Sequence, residues 1–138
     1  MNIYNYNDSE FKNTGIYKNF IKDNPSFGSL RIRAFAASGA IPISGLKIII
    51  STNYNENEII FFNGVTDESG TIPKIKLPAP TLNTDNLDVP NKTTYKITAT
   101  YKVDNTTQTF SVNMYEGICV VQNISIVPSN IVGDFIGY

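Results

Sequence analysis

Four oxygen-bearing side chains stand close together in one stretch of the chain: Asn83, Asp85, Asn86 and Asp88. Oxygen ligands at near-alternating positions suit a hard cation such as calcium, yet the stretch lacks the central glycine and bidentate glutamate of a recognised calcium loop and reads as a solvated turn. Asp67 and Glu68 bring two carboxylates side by side, but Asp67-Glu68-Ser69-Gly70 has the composition of a tight turn, which accounts for them without acid–base chemistry. Cys119 opens a strand with no base beside it and reads as a small buried hydrophobe, not a nucleophile. Arg31, Arg33 and Phe35 alternate along one strand face, where they either meet an anionic partner or cover the sheet with their aliphatic stems.

Two counts limit what these residues can do. The chain has no histidine, which removes the commonest general base, the commonest zinc ligand and every Ser-His or Cys-His pair. It has one cysteine, which excludes an internal disulfide and a cysteine-based metal cluster. No catalytic residue, metal or cofactor is therefore expected, and the composition points to a structural or binding module.

The elements that must position these residues belong to one domain of 138 residues, long enough to bury its own core. Charged residues make up 17% and the formal net charge is −1, so neither a basic footprint for nucleic acid nor a polybasic patch for anionic membranes is expected. The longest apolar runs, such as Leu46 to Ile50 and Ile59 to Phe62, are strand-sized, and none approaches the ~20 residues of a membrane span. The first residues carry no basic, apolar leader of the classical kind, so synthesis in the cytoplasm is expected.

From Gly28 onward the hydrophobic pattern has period two. Leu30, Ile32, Ala34 and Ala36 predict a first strand, and Leu46 to Ile50 a second. Glu58 to Thr66 predicts a third, and Thr71 to Leu77 a fourth that Pro73 assigns to an edge. Tyr95 to Val103, Gln108 to Met114 and Cys119 to Val127 complete seven strands of an antiparallel β-sandwich. Residues 1–27 precede this pattern as an N-terminal arm, residues 28–128 form the sandwich, and residues 129–138 are a C-terminal tail. Within the arm, a short helix over Phe11 to Ile21 capped by Asp8 or Ser9 and an extended segment are both compatible with the residues.

Ile41-Pro42-Ile43-Ser44-Gly45-Leu46 followed by Val65-Thr66-Asp67-Glu68-Ser69-Gly70 resembles the carboxypeptidase regulatory-like domain. Leu77-Pro78-Ala79-Pro80, Tyr95-Lys96-Ile97-Thr98-Ala99 and Tyr115-Glu116-Gly117 extend the likeness over about Gly28 to Pro128. The resemblance implies an all-β, seven-stranded, transthyretin-like (Ig-like) sandwich, in a variant like those of clostridial spore-associated or phage-like proteins. The hydroxyisourate hydrolases of this group use histidines and a C-terminal Tyr-Arg-Gly-Ser, whereas this chain has no histidine and ends Phe135-Ile136-Gly137-Tyr138. Surface-adhesin relatives form Lys–Asn isopeptide bonds. Here Arg31 and Arg33 occupy the strand where such a lysine belongs, and Lys47, Glu116 and Asn123 are the substitutes to test.

The arm is rich in aromatic and aliphatic residues, unlike a merely disordered tail. Tyr4, Tyr6, Phe11, Ile16, Tyr17, Phe20 and Ile21 would either enter a neighbouring copy's groove or fold back on their own domain. The expected function is a non-catalytic structural or assembly subunit of a bacterial spore, cell surface or phage-like particle. It would associate through arm and sheet edges with itself or with another envelope or particle protein. The competing expectation is a monomeric accessory module that binds a cell-wall polymer or a partner hydrolase through the loop carrying Pro80, Asn83, Asp85 and Asp88.

Overall fold

The computed structural model describes residues 2–36, 41–82, 91–103 and 105–126. In chain order these are β1 (Ile3–Asn5), a single 3-10 turn (Phe11–Asn13), α1 (Gly15–Asp23), β2 (Ser26–Ala36), β3 (Ile41–Pro42), β4 (Lys47–Tyr54) and β5 (Asn57–Val65). β6 (Ile75–Ala79), β7 (Thr93–Tyr101), β8 (Thr106–Met114) and β9 (Cys119–Ser125) follow. One sheet has the order β1-β5-β4-β7-β8. The other is centred on β2, with β3 and β6 along one side and β9 along the other.

The all-β class expected from the period-two pattern is what forms, and the strand faces follow the alternation. Leu30, Ile32, Ala34 and Ala36 are buried from β2, Ile48 and Ile50 from β4, and Tyr95, Ile97 and Ala99 from β7. Tyr95 carries its hydroxyl into this core, where it donates to the carbonyl of Pro78 at 2.5 Å and burial holds the phenol firmly protonated.

Three details correct the sequence reading. Nine strands are found among the described residues instead of seven, because β1 and the two-residue β3 add to the pattern. The arrangement is also not purely antiparallel: β1 runs parallel to β5, and β9 runs parallel to β2 over Ser29–Cys119 through Phe35–Ser125. The second follows from the connection after β8, which leaves β7 and β8 behind and delivers β9 to the opposite sheet. That crossing passes over Gly28. The Gly117 N–H donates to Phe27 O and the Ser29 N–H to Ile118 O, and a Cβ at Gly28 would lie 2.5 Å from the Tyr115 carbonyl. Third, the edge strand expected from Thr71 begins only at Ile75 and continues through Pro78, while Thr71 makes an isolated bridge to Arg33. Pro73 has no N–H to give to a ladder, and Pro78 is tolerated because β6 is an outer strand.

The expected arm does not stand apart from the domain. β1 extends the five-stranded sheet, with Glu58 N donating to Asn2 O and Tyr6 N to Ile60 O. β2 begins at Ser26, inside the range assigned to the arm. The helix starts later than Asp8 or Ser9 would place it. Thr14, in extended conformation, caps α1 by accepting the Tyr17 N–H, while the Asp8 carboxylate accepts from Glu10 N. Asn24 closes the helix: its backbone and side-chain N–H groups both donate to Phe20 O, its side-chain oxygen accepts from Thr93, and Pro25 prevents continuation.

Candidate functional site

Two regions combine the exposed residues singled out by sequence and structure: the outer face of the β2 sheet and the β8 edge of the other sheet. Along β2 the even-numbered residues from Leu30 to Ala36 point inward, so Arg31, Arg33 and Phe35 face outward. β6 and the segment before it add Lys76, opposite Ser29, and Lys74. β9 adds the uncharged exposed residues Cys119, Val121 and Asn123, opposite Ser29, Arg31 and Arg33. The face thus has a cationic strip beside an uncharged one. Arg31, Arg33 and Lys74 line a cleft of about 400 Å³ together with Thr71, Ile72 and Val121, and no carboxylate lines it. Lys74 also lines the adjoining cleft of about 420 Å³, where Lys76, Phe27, Ile118 and Cys119 are found. Aromatic rings lie at both ends, with Lys76 Nζ 4.8 Å from the Phe27 ring centre and the Arg33 guanidinium 5.4 Å from that of Phe35.

Past the Phe35 end lies the turn after β5. Asp67 accepts hydrogen bonds from the Ser69 and Thr71 N–H groups, which hold its carboxyl below the usual carboxylate range and keep it anionic. Gly70 has φ +75°, and a Cβ there would lie 2.3 Å from the Ala34 carbonyl, so the turn fastens closely to β2. Asp67 is therefore accounted for by the turn, while Glu68 lines a small cleft of about 260 Å³ with Arg33, Phe35 and Pro42.

β8 is the outer strand of the five-stranded sheet. Its nine residues, Thr-Thr-Gln-Thr-Phe-Ser-Val-Asn-Met, include no charge and no proline. Its exposed residues stand beside two threonines and a lysine of β7 in the register Thr100–Thr107, Thr98–Thr109 and Lys96–Ser111. Phe110 and, on β9, Val120 are only partly covered.

The other expected site residues are placed as follows. Phe11 and Phe20 are 2% and 1% exposed and belong to the core, with Tyr4, Tyr6, Ile16, Tyr17 and Ile21 packed against it. Tyr4 lies tilted against Phe11 at 5.1 Å, Phe11 against Tyr6 at 6.4 Å, Tyr6 stacks on Phe61 at 4.5 Å, and Phe61 meets Tyr95 edge-on at 5.3 Å, so one aromatic column joins the N-terminal segment to the centre of the sandwich. Pro80 is half-buried, and Leu82 N donates to the Glu116 carboxylate at 2.7 Å, while Asn83, Asp85, Asn86 and Asp88 lie outside the described residues, as does the tail 129–138. Cys119 is exposed, not buried, because odd-numbered β9 residues face outward. Lys47 and Asn123 are exposed on different sheets, and Glu116 is engaged with Leu82, so these three are not brought together. No group of three or more Cys, Asp or Glu that could hold a metal forms among the described residues, and no described helix is long and apolar enough to cross a membrane.

Sequence reasoning found Arg31 and Arg33 but missed Lys74 and Lys76. Their own two-residue spacing, next to Pro73, was the available signal. An overall charge of −1 concealed the local clustering.

No family model matches the chain, and no curated protein sequence matches it. Among solved structures it is similar to 5-hydroxyisourate hydrolase from Klebsiella pneumoniae, at 16% identity over 73% of this chain and 92% of that one, with a TM-score of 0.49. It is also similar to (S)-allantoin synthase, at 12% identity over 75% of this chain and 42% of that one, with a TM-score of 0.47. Transthyretin from Sparus aurata aligns at 12% identity over 70% of this chain and 90% of that one, with a TM-score of 0.45.

Proposed function

We propose that the protein is a non-catalytic assembly subunit that associates with further copies of itself through the β8 edge, in the setting of a bacterial spore, cell surface or phage-like particle. The observation that carries this reading is the nine-residue outer strand without charge or proline. Edge strands of monomeric proteins are ordinarily blunted by lysine, proline, a bulge or shortness. β1, at the other end of the same sheet, has only three residues, while β8 has none of these devices among its own residues. Two β8 strands running antiparallel across a two-fold axis would join two five-stranded sheets into one, and the partly covered Phe110 would gain cover from its counterpart. The N-terminal segment serves this assembly by completing each subunit, not by reaching into the next. The chain's lack of histidine supports the non-catalytic part.

The test is light scattering coupled to size exclusion from 5 to 200 µM. A dimer or larger species is expected for the wild type, and a monomer for Thr107→Lys/Thr109→Lys, whose added charges lie on exposed positions. A wild type that stays monomeric throughout, or an assembly unaffected by the double variant, overturns edge pairing.

A further inference from the structure

The outer face of the β2 sheet lies away from the β8 edge and asks for a different occupant. Arg31, Arg33, Lys74 and Lys76 make up four of the chain's eleven cationic residues, gathered on one side of a protein with net charge −1. None of them is ion-paired among the described residues, where the one ion pair, Lys96–Glu58, sits on the other sheet. Arg31 and Lys74 share one cleft, and cations set side by side repel unless an anion lies between them. The cleft is not purely polar, since Ile72 and Val121 line it and Val121 is 55% exposed.

We infer that this face is a docking groove for an extended acidic peptide segment of a partner protein, with carboxylates alternating with aliphatic residues. Arg31 and Arg33 are two residues apart on a strand, a separation of about 6.6 Å. An extended peptide repeats its side chains at the same interval, so two carboxylates at positions i and i+2 can each meet one guanidinium, the group best shaped for carboxylate. The intervening side chains then point the opposite way within the plane of the face, toward the uncharged strip of Ile118, just before β9, and Val121 on β9. From Phe27 to Arg33 the groove spans about 20 Å, room for roughly six extended residues, and it stops short of the smaller cleft that Glu68 lines with Arg33 and Phe35. A bare phosphate polymer would satisfy the cations but leave the aliphatic strip uncovered, which is why the peptide is the better fit.

The experiment measures fluorescence anisotropy of a labelled ten-residue peptide alternating glutamate and valine, titrated with the full chain at low and moderate salt. Binding is expected, weakened at least tenfold by Arg31→Glu and by Lys74→Glu. These two substitutions lie on exposed positions, and circular dichroism verifies that each variant is folded. Lys47→Glu, on the other sheet, is expected to leave binding within twofold. A peptide alternating glutamate and serine is expected to bind at least fivefold more weakly. Absence of binding, an equal loss with Lys47→Glu, or binding unchanged by both groove variants overturns the groove. Tighter binding of oligothymidylate or inorganic polyphosphate than of the glutamate–valine peptide overturns the peptide as its occupant.

Discussion

The two ends of the five-stranded sheet are treated in opposite ways. At the β1 end, the strand added to β5 is short, and the turn and helix behind it lay Phe11 and Phe20 into the core beside Phe61. At the β8 end, nine uncharged residues form the outermost strand, and the Gln108 side chain reaches across to the Ser125 carbonyl of β9. The difference teaches that the aromatic N-terminal residues, which look adhesive in the sequence, are spent inside the subunit. The polar β8, which looks unremarkable because threonine and serine are common on sheet faces, is the outermost strand of its sheet.

The comparison breaks most directly at Phe20. Phe20→Ala should destabilise the domain by about 3–4 kcal/mol, because a fully buried ring packed against Tyr54 and Phe61 would leave a cavity. Thermal or urea unfolding measures this. A loss under ~1 kcal/mol would mean that the N-terminal segment is only loosely applied. By contrast, Thr107→Lys/Thr109→Lys should change the unfolding free energy of the subunit by no more than about 0.5 kcal/mol per site while changing its association.

Thr14→Ala sharpens the same contrast at a smaller scale. Loss of the hydroxyl that accepts Tyr17 N should cost about 1 kcal/mol, and hydrogen exchange should accelerate in α1 before it does in β7 or β8.

The smallest effect concerns pH. The Tyr54 hydroxyl donates to the Asp23 carboxylate at 2.5 Å across α1 and β4, and that bond pushes the phenol up to about 12, with desolvation adding to it. A raised phenol favours the protonated form in the folded state. The stabilisation is therefore complete below about pH 10 and is lost as pH rises through 12. Absorbance titration should show one tyrosine ionising near 12, and Asp23→Asn should bring it down. Because the Tyr54 ring is partly buried but its hydroxyl meets Asp23 at the surface, the accompanying change in stability should be slight.

Much of the sandwich was legible because alternation on a two-layer fold is a local signal. Leu30-Arg31-Ile32-Arg33-Ala34 and Tyr95-Lys96-Ile97-Thr98-Ala99 display inside and outside directly. The direction of β9 was not legible, because it depends on the crossing at Gly28, and a glycine in a strand does not announce which backbone it admits. The fate of the N-terminal segment was undecided for a related reason. Aromatic residues at Tyr4, Phe11 and Phe20 bury themselves equally well in their own domain or in a neighbour, and only the β1–β5 register decides between them. Of the docking groove, sequence periodicity supplied the Arg31–Arg33 half. Lys74 and Lys76 joined it through a sheet neighbour more than forty positions downstream, since Ser29 pairs with Lys76.

The parallel pairing of β2 with β9 also carries a consequence for the order of events during folding. Ser29 finds Cys119 ninety positions later in the chain. During synthesis the far flank of β2 stays uncovered until the intervening β3 to β8 and then β9 have left the ribosome. Helix α1 and the β4–β5 and β7–β8 hairpins can close locally and quickly, whereas the last closure joins distant segments and carries the largest loop entropy. Refolding should therefore show a slow final phase in which amide protection of β2 and β9 appears together, after the hairpins are already protected.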